Sequence, residues 1–259
     1  MNRYPFILAA FPSLAIGVKR ETSFQETMDL LEMNLSSRDK EKVSQLLLAD
    51  NLDNIRAFWL GLPLSDRGRF RAKELEEALL VRDSLPPFLN DFLDRYDTTA
   101  ERLNHFSSLY ASLYRETIPQ LEGFLKAYYE MEREIRLVLT ALRAKQMGRD
   151  LVRELQFEDL TDPLVMQILA QRDSPQYTPP QEYEDLKALF VENSAEPLKL
   201  HRAILQYRFD RILEIEENFP SFSIDRILGF FARLMIVEAW DSMNRDKGLR
   251  LVDDLSKEI

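Results

Sequence analysis

No cysteine occurs in the 259 residues, which excludes disulfides, thiolate zinc sites, iron–sulfur clusters and cysteine nucleophiles. Histidine is almost as scarce. His105 and His201 are the only two, and neither belongs to an HExxH pattern, so both read as ordinary surface or core residues and no metal site is expected. The 7 glycines are too few for a fold built on many tight turns, and none falls in a GxxxxGK[ST], GxGxxG or GxSxG pattern. Phosphate cradles, dinucleotide turns and nucleophile elbows therefore lack their backbone device, and no cofactor is expected. A membrane span needs about 20 uninterrupted apolar residues, and no stretch supplies them. The opening MNRYPFILAAFPSLAIGVKR is interrupted by Pro5 and Pro12; it reads as a core segment, with a cleaved signal peptide as the alternative. Basic residues are outnumbered 34 to 44, a net charge of −10, which opposes nonspecific binding to nucleic acid and leaves local basic patches available to acidic proteins.

What the chain does contain is the balance of a folded protein, 45% hydrophobic and 30% charged residues, rich in the helix formers Leu, Glu, Arg and Ala. The expected class is all-α: an elongated multi-helix bundle with long central helices and a short extended N-terminal segment, Tyr4 to Ala10. A first helix starts after Ser23, where Ser23 and Glu26 form a capping box ahead of Phe24, Met28, Leu31 and Leu35. Another starts at Ser36 or Ser37, with Val43, Leu46 and Leu47 inward, and then a polar turn at Asp50 to Asp53 precedes Ile55, Phe58 and Trp59. Residues 71–82 and a run opened by Pro86 and Pro87 follow.

Two longer helices are expected in the middle, over 99–114 and from Pro119 to about Leu155. In the second, Leu121, Phe124, Leu125, Tyr128, Met131, Ile135, Val138 and Leu142 recur on one stripe, with Glu122, Lys126, Glu130 and Arg133 opposite. Unbroken, its about 37 residues would reach about 55 Å. The proline-rich DSPQYTPP stretch at 173–180 is the expected hinge or linker, so residues 1–259 read as one helical domain with a subdivision there, a body over 1–172 and a C-terminal subdomain over 181–259. Helices over 181–192, 196–217, 223–243 and 246–257 complete the chain.

Three constellations invite a functional reading. The acidic group Glu214, Glu216 and Glu217 offers paired carboxylates but no calcium-loop geometry, and reads as a solvated helix face. Along EMEREIRLVLTALRAKQMGRD, Glu130, Glu132 and Glu134 precede Arg136, Arg143, Lys145 and Arg149, the sense that complements a helix dipole. That stretch is either a stabilised surface helix or a docking edge for an acidic partner. The run from Ile224 to Trp240 is apolar on more than one face, central to the core in preference to covered by a partner, and Gly248 marks a turn into the last helix. No group of residues proposes itself as catalytic; a concave cluster of Tyr110, Tyr114, Tyr128 or Tyr129 with buried carboxylates is what an enzyme reading requires.

Three segments, in order, resemble the C/d family of V/A-type ATPase central-stalk subunits, lettered C in the V/A-type enzymes and d in the eukaryotic ones: the opening YPFILAAFPSLAIG, the helical EREIRLVLTALRAKQMGRD, and GFFARLMIVEAWDSMNRDKGLRLVDDL. They cover about a quarter of the chain, and the tandem set of three similar helical modules is not evident here. The resemblance implies a non-catalytic socket that couples the central axle subunit to the membrane rotor ring, cytoplasmic and peripheral to the inner membrane, reaching the membrane only through these partners. The matched positions are Arg136, Arg143, Lys145, Gly148 and Arg149 in the middle and Gly229, Trp240, Arg245 and Gly248 near the end. Arg136, Arg143, Lys145 and Arg149 are expected to pin neighbouring helices or face a partner, and Gly148, Gly229, Trp240 and Gly248 to be structural. The alternative is a general helical adaptor for soluble proteins.

Overall fold

A computed structural model describes residues 3–68, 72–83 and 85–243. Among the described residues the protein is all-α, with no strand and fourteen α-helices: α1 (Pro5–Ala10), α2 (Phe24–Asn34), α3 (Ser37–Leu46), α4 (Leu48–Trp59), α5 (Ala72–Val81), α6 (Pro87–Arg95), α7 (Thr99–Asn104), α8 (Ser107–Thr117), α9 (Gly123–Gln146), α10 (Leu151–Glu154), α11 (Pro163–Ala170), α12 (Glu184–Asn193), α13 (Pro197–Glu217) and α14 (Ile224–Ser242). None of them is long and apolar enough to cross a membrane. The contacts group the chain into two compact units, one holding the residues up to Lys40 and those from Ala188 onward, the other Glu41–Lys187.

The first unit is built on a helical hairpin, α13 and α14 joined across residues 218–223. Helix α14 buries Ile227, Leu228, Phe231, Leu234 and Val237 to 1% exposure or less, so its all-round apolar character is spent on the core; each such side chain is worth about 1.5–3 kcal/mol. Phe11 stacks on Phe230 at 3.9 Å and Phe24 on Phe231 at 4.9 Å. The Ser23–Glu26 capping box forms as read from sequence. Glu238 at the end of α14 also accepts the Phe24 N–H at 2.8 Å, and Arg20 bridges Glu238 and Asp241.

The opening differs from expectation. Residues 5–10 are helical, because Pro5 sits in the first turn, where its fixed φ suits a helix and its missing N–H costs nothing. The non-helical stretch of the N-terminal segment lies further on, between α1 and α2.

The second unit is organised around α9, on which α8, α10 and α11 pack. All eight members of its sequence stripe are buried, from Phe124 and Val138 at 0% to Tyr128 at 8%. Two expected helices are shorter than their patterns. The span 99–114 divides at His105 and Phe106 into α7 and α8, and the central helix runs for 24 residues, about 36 Å at 1.5 Å per residue. It ends because Gly148 adopts φ +63° and closes a Schellman turn, with Arg149 N–H donating to Ala144 O at 2.8 Å and Gly148 N–H to Lys145 O at 3.3 Å.

Residues 173–180 lie inside this unit. Gln171 closes a two-way clasp on Thr178, donating to its carbonyl and accepting from its N–H, both at 2.9 Å, while Tyr177 is 1% exposed and donates to Gln167. The polar turn expected at Asp50 to Asp53 is helical and belongs to α4. There Asn54, buried, exchanges two 2.8 Å hydrogen bonds with the Ser65 backbone and so templates the loop after α4.

Candidate docking site on the central helix

Helix α9 carries, or hands to its C-terminal turn, all five matched positions of the middle segment, Arg136, Arg143, Lys145, Gly148 and Arg149. Two arginines near its middle are turned inward. Arg136 pairs with Glu158 and lies 5.4 Å from the ring centre of Tyr114 on α8, so one guanidinium holds α9 to both neighbours. Arg133, expected on the solvent side, is instead largely covered and meets Asp162 at 3.0 Å. That carboxylate also accepts the Leu164 and Val165 N–H groups as the N-cap of α11, so a single side chain starts one helix and ties it to another. Between these pairs lies a cavity of about 360 Å³ lined by Tyr114, Arg115, Arg133, Glu134, Phe157 and Glu158 among others.

Glu134 faces this cavity and accepts a short hydrogen bond from Tyr183. Burial pushes its carboxyl above the ordinary value, the Tyr183 bond opposes that, and Glu182 adds to the rise. Lys126 and Glu130 form an exposed i,i+4 pair at 4.0 Å on the solvated face.

At the C-terminal end the charges are looser. Lys145 donates to the Arg172 and Ser174 carbonyls at 2.7 and 2.6 Å, which pins the turn after α11 without meeting a carboxylate. Arg149 reaches Glu154 at 3.5 Å with 60% of its side chain exposed. Arg143 is exposed and its side chain has no hydrogen bond or ion pair among the described residues. The structure therefore gathers Arg143, Lys145, Gly148 and Arg149 at one helix end, with Arg136 further back along the helix.

Gly229 and Trp240 belong to the other unit. Gly229 lets α14 approach α13 closely, since a Cβ there would lie 2.6 Å from Glu216 Cγ. The expectation of a solvated face at Glu214, Glu216 and Glu217 is corrected at its middle member. Glu216 is 7% exposed and takes Arg233 through Nε at 3.0 Å and Nη2 at 2.7 Å. The signal in the sequence was Gly229 flanked by Arg226 and Arg233 on one face of α14, read as a glycine alone. Trp240 is partly buried, with the Arg202 guanidinium 5.4 Å from its ring, and lines a cavity of about 770 Å³ with Arg20, Ser23, Glu26 and Asp241. Arg245, Gly248 and the helix expected over 246–257 lie outside the described residues.

The tyrosines named as the condition for catalysis do meet. Tyr114 lies 6.4 Å from Tyr110 and 6.1 Å from Tyr129. Tyr129 donates to Gln45 O at 2.6 Å and Tyr110 to Asp53 at 2.5 Å. Burial first, then nearby negative groups, raises both phenols far above their ordinary value, so they keep their protons and serve as donors within the packing. His105 stacks on Tyr96 at 4.3 Å. Among the described residues no three or more His, Cys, Asp or Glu side chains are grouped to hold a metal ion.

The chain is similar along all or most of its length to proteins of three Chlamydia species, each described as an uncharacterized protein. It is 29% identical over 265 residues to one from Chlamydia muridarum, covering 100% of this chain and 99% of the relative. It is 29% identical over 246 residues to one from Chlamydia trachomatis, with 92% and 91% covered, and 28% identical over 268 residues to one from Chlamydia pneumoniae, with 100% and 99% covered. No solved structure matches. The chain belongs to the family described as Protein of unknown function (DUF2764), which matches it over residues 1–259.

Proposed function

We propose that the protein is a non-catalytic central-stalk component of a V/A-type rotary ATPase, a socket that couples the central axle to the membrane rotor ring. The observation that carries the reading is the packed state of α9, the segment with the EREIRLVLTALRAKQMGRD resemblance. Its stripe is buried along its whole length, and Arg133, Arg136 and Lys145 fasten it to Asp162, Glu158 and the turn after α11. A close-packed helix tied at several points transmits load without changing shape. On this reading the chain hydrolyses nothing, is cytoplasmic, and reaches the membrane only through its partners. A second reading, a helical adaptor for soluble proteins, is favoured by the exposed cations at the end of α9.

The test is to recover the tagged protein from its native membranes after mild detergent extraction and identify the chains that accompany it. Rotary ATPase subunits at near-stoichiometric levels support the stalk. Soluble proteins alone favour the adaptor.

A further inference from the structure

We infer that the C-terminal end of α9 docks a short acidic segment of a partner protein that also carries apolar side chains. The inference rests on the reading of the chain as an interaction protein and assigns its contact to one end of one helix. In a chain with a net charge of −10, this end holds cations that no carboxylate answers. Arg143 and Arg153 are exposed and neither side chain has a hydrogen bond or ion pair among the described residues. Lys145 is satisfied by two backbone carbonyls, which neutralise none of its charge.

The same carbonyls bring Arg172, 62% exposed, to the helix end, where its one carboxylate neighbour among the described residues is the adjacent Asp173 at 3.4 Å. The same short segment of chain, between Arg143 and Arg153, leaves two apolar side chains uncovered, Met147 at 59% and Val152 at 49% exposure.

The helix dipole accounts for a cation in the last turn of α9, but Arg153 lies in α10, only four residues long and with little dipole of its own, and Arg172 lies one residue past the C-cap of α11, while the Schellman turn already partners the Ala144 and Lys145 carbonyls. The occupant that fits is a segment with carboxylates for Arg143 and Arg153 and a side chain to cover Met147 and Val152. Charge gives such a contact its specificity and encounter rate, apolar burial its persistence. The backbone conformation is already set by Gly148 and Lys145, so docking needs no refolding of the site.

The probe is a labelled amphipathic helical peptide of glutamate and leucine, titrated by fluorescence anisotropy at about 0.15 M salt, where surface charges act over about 8 Å. Its control is a lysine and leucine peptide. The expected result is that the wild type binds the acidic peptide, that Arg143→Glu/Arg153→Glu weakens binding by about tenfold or more, and that Lys126→Glu/Lys199→Glu, with the same change of charge elsewhere, does not. Circular dichroism of both variants verifies the fold. Equal binding by the Arg143→Glu/Arg153→Glu variant, equal binding of the basic peptide, or no binding by the wild type overturns the inference. The stalk reading fails separately, if the peptide result holds and no rotary ATPase subunit is recovered from membranes.

Discussion

Gly229 and Glu216 touch across the α13–α14 hairpin: the glycine leaves room for the glutamate, whose Cγ would sit 2.6 Å from any Cβ placed there. Glu216, buried at 7% exposure, is held by Arg233 at 2.7 Å, with Arg226 at 3.7 Å on its other oxygen. Helix, glycine and ion pair depend on one another, since a larger residue at 229 would displace the carboxylate from its arginine.

Gly229→Ala should therefore destabilise the protein by about 2 kcal/mol through overpacking. In an open helix the same change stabilises by about 1 kcal/mol, so the sign is diagnostic. The measurement is the urea unfolding midpoint. In a Glu216→Ala background the contacts with Cγ and Oε2 are gone while the 2.8 Å approach of the residue 216 Cβ remains, so the cost of Gly229→Ala should shrink without vanishing.

Glu216→Ala alone should cost about 3 kcal/mol, because it strands a covered guanidinium. Glu216→Gln keeps an acceptor for Arg233 and should cost less. Chemical denaturation of the two variants side by side ranks them, and equal losses would contradict the pairing.

Gly148→Ala tests a different property of glycine. Nothing lies within 4 Å of a Cβ there, so the cost is that of holding alanine at φ +63°, about 1 kcal/mol. Gly148→Asn should cost less, since asparagine tolerates that region. Thermal melts decide between them.

Glu134 gives a pH dependence of defined sign. Its folded carboxyl lies above the ordinary value, chiefly through burial, so its contribution is fully present below the unfolded value and lost as pH rises through the folded one. Glu134→Gln keeps an acceptor for Tyr183 and avoids the buried charge. Its melting temperature should exceed that of the wild type at neutral pH, and the gap should close as the pH falls.

Lys145→Met removes two hydrogen bonds from the turn after α11 and retains the aliphatic stem. A loss of about 1 kcal/mol is expected. Hydrogen exchange should quicken over 172–178, and uniform protection there would show that the Gln171–Thr178 clasp suffices alone.

The sequence by itself determined the helical class, the capping box at Ser23 and Glu26, the buried stripe of α9 and the core character of α14, because each is written in spacings of three and four residues along one segment. Only the tertiary structure decided which charges face inward. Arg133 and Glu216 look like neighbours of solvated residues within their own helices, and their partners, Asp162 and Arg233, come from other elements. It also decided where the long patterns stop: helical periodicity continues through His105 and past Gly148, but the chain turns there, at the second by a left-handed glycine whose conformation no periodicity records. Along one helix, side-chain neighbours follow from backbone geometry; between helices they follow from packing, which the order of residues specifies only once the helices have met.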